Sequence, residues 1–367
     1  MKNKHLIIFM PSIEGGGVEK NLFIITKYLA SKNKNISLIT ASDGFDHKFK
    51  NINLIKPKLI FFKNNSRKFK YLLCLVELLK LILFKKDISV FSFQANLYCI
   101  ILCKIFNKKI IIRANSSPTG WSNSFIRRLI FKYIFGMADK VIVNSVDFKK
   151  QFKSIFDIDA TCIYNPLNKA EIIRLSESPI RFPFFKKNNY QLKIITIGRF
   201  TDQKDHLTLL RALNEIKNEI NFKLLIIGRG LNEDKIKNYI LKNNIEKKVK
   251  ILRYQKNPYK YLKLAELFVL SSKFEGLPNV LLEAAVLKKF IISSNCPTGP
   301  REILNNGKGG FLFNVGDYKK LSKKIIEYNV NKKKLYKKID FNYHNLFRFD
   351  CDVNLKKYSN EINKVLN

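Results

Sequence analysis

An α/β fold is predicted, with two doubly wound, Rossmann-like parallel-sheet domains facing a deep interdomain cleft. Three features of the sequence predict it. Short apolar runs alternate with amphipathic helical patterns along the whole chain, and repeated strand–helix units imply parallel sheets covered on both faces. The length of 367 residues exceeds one ordinary core and suits two domains. Periodicity lapses once, from Asn165-Pro166 through Pro179 and Pro183 to Asn189, where prolines gather.

In the first half, the apolar runs His5–Met10, Ile36–Thr40, Ile88–Phe93, Lys109–Arg113 and Lys140–Asn144 read as strands. Helical periodicity fills the gaps near Val18–Ser31, Lys68–Phe84, Asn96–Phe106, Ser124–Met137 and Val146–Ile155. In the second half, strands are expected at Leu192–Ile197, Phe222–Ile227, Val249–Leu252, Leu267–Leu270 and Phe290–Ser293. Helices are expected between them at Asp205–Lys217, Asp234–Asn243, Pro258–Leu264 and Asn279–Leu287. The resulting division is a first domain over 1–170, a linker over 171–190 and a second domain over 191–349. A last helix near Asn354–Val365, within the 350–367 tail, packs back on the first domain.

Hydrophobic residues make up 46% and aromatics 13%, which supports filled cores and excludes a disordered chain. Lys and Arg number 68 against 29 Asp and Glu, a net charge of +39. That balance attracts anions: membranes, phosphorylated substrates or nucleic acid. It equally fits a compositional lysine bias, because Lys is spread over nearly every polar stretch. With no concentrated basic stripe and no aromatic reading motif, a nucleic-acid-binding role is not expected. The six cysteines form no Cys-x-x-Cys pair and the four histidines have no ligand spacing. A reduced, cytosolic protein without a metal or cofactor is expected. The apolar run at the N-terminus ends at Pro11 and Glu14 and reads as a strand rather than a signal peptide.

The chemistry concentrates in Phe274-Glu275-Gly276-Leu277-Pro278-Asn279 and Glu283. Glu275 falls in a loop at the end of a strand, and Glu283 about one turn into the helix that follows. Open α/β sheets bind ligands outside the carboxyl ends of their strands. Two carboxylates there accept hydrogen bonds from hydroxyls, so a ribose or a sugar is the natural ligand. Gly198-Arg199 and Lys204 follow another strand on the same edge, where Arg forks onto phosphate oxygens and Lys acts as a point charge. Gly228, Tyr254 and Gln255 follow the next two strands and could surround a base. Gly15, Gly16 and Gly17 follow the first strand and let backbone approach a ligand, or form a structural turn.

Together these segments resemble retaining glycosyltransferases of family 4, which have the GT-B fold. The likeness is carried by Gly198-Arg199, Lys204, Gly228-x-Gly230, Asn257-Pro258-Tyr259, the run Phe268 to Ala284 with Glu275 and Glu283, and Gly299-Pro300-x-Glu302. Among such enzymes the chain is most similar to bacterial transferases that extend lipid-linked glycans for O-antigen, capsule or protein glycosylation. The resemblance implies a nucleotide-sugar donor, UDP-linked, held by the second domain, and a lipid-linked or glycan acceptor held by the first. It implies Arg199, Lys204 and Glu275 as the catalytic set, with the cations on the diphosphate and Glu275 on the sugar hydroxyls. Glu283 would hold the ribose, the backbone of Gly276, Leu277, Pro278 and Asn279 would frame phosphate and sugar, and Gly16 and Gly17 would leave room for both substrates. Family members often have a histidine facing the sugar after the fourth or fifth strand. Here the region reads Arg113-Ala114-Asn115, so Arg113 and Asn115 are the candidate sugar or acceptor contacts, or else Arg113 is structural. Other readings on the same fold are a nucleotide-sugar 2-epimerase, which should carry more His and acidic residues, and a non-catalytic nucleotide-sugar binder.

No stretch reaches the roughly 20 apolar residues of a membrane span. The helix over Ser124–Phe135 carries Arg127, Arg128 and Lys132 among apolar residues. It reads as a core helix or as an interfacial helix with a basic stripe. The aromatic–basic stretch Phe61–Tyr71 poses the same alternative. Peripheral association with the anionic inner face of the cytoplasmic membrane is the expected location.

Overall fold

The computed structural model describes residues 5–33, 35–49, 52–58, 66–115, 118, 124–185 and 191–366. Residues 61–65 of the aromatic–basic stretch and the end of the expected linker, 186–190, lie outside the described residues. Two compact units are present, 1–166 with 351–367, and 167–350.

The first unit runs β1 His5–Phe9, α1 Gly17–Lys32, β2 Ile36–Ile39, β3 Asn53–Ile55, α2 Arg67–Phe84, β4 Ile88–Ser92 and α3 Asn96–Ile105. It continues with β5 Lys109–Arg113, α4 Phe125–Gly136, β6 Lys140–Val143, α5 Val146–Phe156 and β7 Thr161–Cys162. Its strands pair in parallel in the order β3-β2-β1-β4-β5-β6-β7. Alternate strand residues point to opposite faces. Ile7, Phe9, Val90, Ile110 and Ile112 meet α2 to α5 on one side, where Leu78, Cys99, Phe135 and Phe152 fill the core. Leu6, Ile8, Phe91, Ile111 and Ile142 meet α1 on the other.

The second unit runs α6 Lys169–Ser176, β8 Leu192–Ile197, α7 His206–Glu215, β9 Phe222–Ile227, α8 Glu233–Lys242, β10 Val249–Leu252 and α9 Tyr259–Leu264. Then follow β11 Leu267–Leu270, α10 Asn279–Val286, β12 Phe290–Ser294, α11 Pro300–Ile303, β13 Phe311–Phe313, α12 Tyr318–Val330 and α13 Lys332–His344. Its sheet, also parallel, has the order β10-β9-β8-β11-β12-β13. The last helix, α14 Cys351–Leu366, belongs to the first unit, where Tyr358 and Ile362 join the core beside α1.

The segment expected to be a linker is partly a helix of the second unit. Asn168 caps α6 by accepting from the Glu171 N–H at 3.0 Å, and Asn257 donates to the Leu175 carbonyl at its other end, 2.8 Å. Ile172 is buried, and α6 packs on α9 and α10. Both capping bonds come from Asn side chains, which satisfy the helix-end groups that water would otherwise have to satisfy. Helices α12 and α13 were not foreseen, because nine lysines obscure the buried stripe of Leu321, Ile325, Tyr328 and Leu335.

Candidate active site

In each unit the strand order reverses at one place, between β1 and β4 and between β8 and β11. Helices leave the two neighbouring strands toward opposite faces there, so their loops diverge and leave a crevice. In the second unit α7 lies over the face lined by Ile194 and Val269, while the buried side chains of α10 are outside that cluster. The loops after β8 and β11 are then stitched together. The Lys273 N–H donates to the Gln203 carbonyl at 2.7 Å, Gln203 Nε2 to the Phe274 carbonyl at 2.8 Å, and Ser271 Oγ to the Asp205 carbonyl at 2.8 Å.

This stitching sets Lys204 against Glu275. Lys204 Nζ lies 2.5 Å from Glu275 Oε1, with the side chains 14% and 7% exposed. The loop after β12 closes on the same carboxylate's backbone: Thr298 Oγ1 donates to the Glu275 carbonyl at 2.6 Å. Gly299, at φ 85°, comes so near that a Cβ there would lie 2.2 Å from the Gly276 carbonyl oxygen. Only glycine permits both the left-handed backbone and that approach. Glu283 is buried on α10 and accepts from Tyr259 Oη at 3.2 Å. In the sequence Tyr259 stands only in the Asn257-Pro258-Tyr259 motif, and it is the fold that brings its hydroxyl from α9 to Glu283. Pro278 precedes α10 in extended conformation, and no side chain caps the helix.

Arg199 is exposed; its carbonyl accepts from the Thr201 N–H at 3.0 Å, while its side chain makes no hydrogen bond or ion pair among the described residues. Gly198 and Gly228 have their amides committed to the sheet, to the carbonyls of Ile227 and Leu252, each at 3.0 Å. A Cβ on Gly228 would lie 1.9 Å from the Gly198 carbonyl oxygen. These glycines therefore let the β8 and β9 ends pack closely. Tyr254 is half exposed under the Arg229 guanidinium, 5.3 Å from its ring centre, and Gln255 accepts from Tyr261 Oη at 3.3 Å.

His206, at the start of α7, is buried edge-on against Phe200, and burial with Lys204 nearby lowers its pKa to about 3. It stays neutral at working pH. Burial, with the Glu275 charge adding, pushes the Cys296 thiol up to about 12, so it is not a nucleophile. Among the described residues no cluster of three or more His, Cys, Asp or Glu could hold a metal ion.

The first unit is different. Gln94, after β4, bridges to Ser12, after β1, by two bonds of 3.0 and 2.9 Å. The glycine turn is backed by Glu19, a buried carboxylate in the first turn of α1, which accepts from the Glu14 N–H at 3.4 Å. A Cβ on Gly16 would lie 2.9 Å from Glu19 Oε2. Arg113 is buried away from any substrate, and the half-buried Asn115 is bonded to it. Arg113 is fully buried and donates from Nε to Tyr358 Oη at 2.8 Å, from Nη2 to Asn165 Oδ1 at 2.6 Å, and from Nη1 to Asn115 Oδ1. Asn115 Nδ2 in turn donates to the Phe93 carbonyl at 2.8 Å. Of the two alternatives for Arg113, the structure therefore favours the structural one, a knot joining β5, α14 and the exit of the unit. A buried guanidinium needs such partners, and these residues supply them.

Residues 179–343 match the family described as Glycosyl transferases group 1. An uncharacterized glycosyltransferase of Methanocaldococcus jannaschii is 34% identical over 272 residues, 68% of this chain and 67% of that protein. The Campylobacter jejuni enzyme GalNAc-alpha-(1->4)-GalNAc-alpha-(1->3)-diNAcBac-PP-undecaprenol alpha-1,4-N-acetyl-D-galactosaminyltransferase is 25% identical over 334 residues, 86% of each chain. Among solved structures, Anabaena HepE in complex with UDP-glucose superposes with a TM-score of 0.78 at 16% identity, covering 99% of this chain and all of that one.

Proposed function

Because the chain belongs to the glycosyl transferases group 1 and has the GT-B fold, we propose that it is a retaining family 4 enzyme. It moves a hexose or N-acetylhexosamine from a UDP-sugar to a lipid-linked glycan acceptor in cell-surface glycan assembly. The observation that carries this reading is the Lys204–Glu275 pair in the β8–β11 crevice, with Arg199 exposed beside it and Glu283 buried behind. UDP-sugar complexes of the same fold and relatives named for undecaprenol-linked substrates support the donor and acceptor.

Lysine has three N–H donors, and Glu275 occupies one in this structure. The remaining donors of Lys204, with the Arg199 fork, hold the diphosphate and offset charge that builds on it as the sugar departs. The N-terminal end of α10 adds its dipole to the same anion. Glu275 accepts from sugar hydroxyls, and Glu283, oriented by Tyr259, from the ribose. The bond from the anomeric carbon to the phosphate oxygen breaks, and the acceptor oxygen bonds to that carbon on the same face. The acceptor's proton passes to the leaving phosphate oxygen, which removes the need for a protein base. The residues perform these steps without a metal.

Slow hydrolysis of UDP-sugars tests the assignment. Arg199→Ala and Glu275→Gln should each lower turnover by about 100-fold or more, with folding preserved by circular dichroism. Turnover equal to wild type in both variants would overturn it. The location proposed is the inner face of the cytoplasmic membrane, where such an acceptor would lie.

A further inference from the structure

Helices α2, α3 and α4 form one layer over the first unit's sheet, with α3 packed against both others. Their inner sides are buried, but their outer sides are apolar. Phe84 is 86% exposed, Ile105 70%, and on α4 Phe125 and Tyr133 are each 74% exposed with Ile126 at 69%. Every residue of α4 from Phe125 to Ile130 is exposed. The core of the unit takes Phe135, Phe131 and Ile134 from α4 and leaves these residues uncovered. On the opposite side of the same sheet, among the described residues, α1 exposes no large apolar side chain and α14 only Val353. The apolar surface therefore belongs to one layer and is not a general property of the unit.

The charge of this layer is equally one-sided. The three helices carry Glu77 as their only acidic residue against eight Lys and Arg. On α4, Arg127 and Arg128 stand between Ile126 and Leu129. A second copy of the chain on this face would oppose its cations with like charges across a self-complementary contact. A nucleic acid would take the cations but leave the aromatic and aliphatic side chains in water. An anionic bilayer satisfies both, with apolar side chains in the headgroup–acyl boundary and cations among the lipid phosphates. No helix among the described residues is long and apolar enough to cross a membrane. We infer that the α2–α3–α4 layer is a docking face that lies on an anionic lipid bilayer. The inference deepens the membrane location proposed above, which supplies its occupant, but is independent of the sugar chemistry.

The test is flotation of the full chain with vesicles of phosphatidylcholine alone or with phosphatidylglycerol. Binding should require the anionic lipid and fall with salt. The triple variant Phe125→Ser, Ile126→Ser, Tyr133→Ser, and separately Arg127→Glu with Arg128→Glu, should each weaken binding by about tenfold or more. Both should keep the wild-type thermal shift with UDP, because these residues lie outside the donor crevice. No binding of wild type to anionic vesicles at low salt would overturn the docking face, as would binding unaffected by both variants. So would a wild-type dimer that the triple variant makes monomeric. Vesicle binding without any UDP thermal shift would leave the docking face standing and remove the donor-site reading instead.

Discussion

The two units wind their strands in the same order and leave a crevice at the same topological position, yet they equip it differently. At the β1–β4 reversal, the neutral Gln94 side chain zips to the Ser12 backbone, and the nearby Arg113 is consumed by Tyr358, Asn165 and Asn115. At the β8–β11 reversal, loop-to-loop bonds are made largely by backbone and by Gln203 and Ser271. The proposed donor contacts, Lys204, Glu275 and Arg199, stand at this second reversal, the first two paired with each other. Topology therefore supplies a crevice twice, but only the second carries a charged pair across its two loops, Lys204 with Glu275, beside an exposed Arg199.

The largest effect that would break this contrast is at Arg113. Arg113→Met should cost about 2–4 kcal/mol of stability, because Asn165 and Tyr358 lose their buried partner, while UDP affinity stays at the wild-type value. A fall in UDP affinity with unchanged denaturation midpoint would restore Arg113 to the site.

The glycines sharpen the same comparison. Gly228→Ala puts a methyl 1.9 Å from a backbone oxygen and should cost about 1–3 kcal/mol or more. Gly16→Ala meets only the end of the Glu19 side chain, at 2.9 Å, and should cost under about 1 kcal/mol. Urea denaturation of the two variants orders them, and a larger loss at Gly16 would mean that the first unit's turn is the tighter one.

His206 predicts an acid sensitivity of the second unit. Its folded pKa of about 3 lies below the ordinary value of 6.5. The unfolded chain therefore takes up a proton that the folded chain refuses, and stability falls as pH drops below about 6.5. The loss proceeds at about 1.4 kcal/mol per pH unit and is complete below about pH 3. Thermal midpoints between pH 7 and pH 4 should fall less steeply in His206→Leu than in wild type; equal slopes would place the acid sensitivity elsewhere.

Much of the second unit could be read directly. Leu267–Leu270 is a short apolar run between Glu266 and Ser271, and Asn279–Val286 begins after a proline, so strand, loop and helix follow from local chemistry. The carboxylates and cations then fall on one sheet edge because parallel strands all end there. Less legible are the short strands Asn53–Ile55 and Thr161–Cys162, which form the two opposite edges of the sheet with too few residues to show alternation. The partners of Arg113 and Glu283 were also hidden. Tyr358 lies 245 residues from Arg113 and Tyr259 lies 24 from Glu283, and no local pattern announces either bond. The outward side of α4 was ambiguous because a wide apolar stripe looks the same whether a core or a lipid surface covers it.

The measurement that tests the central claim most directly is the affinity of UDP, by calorimetry, for wild type, Arg199→Ala and Glu283→Ala. The account predicts that wild type binds, and that each variant binds at least about tenfold more weakly because a charge-assisted hydrogen bond is lost. Binding of UDP to both variants with wild-type affinity would contradict the placement of the donor in the β8–β11 crevice.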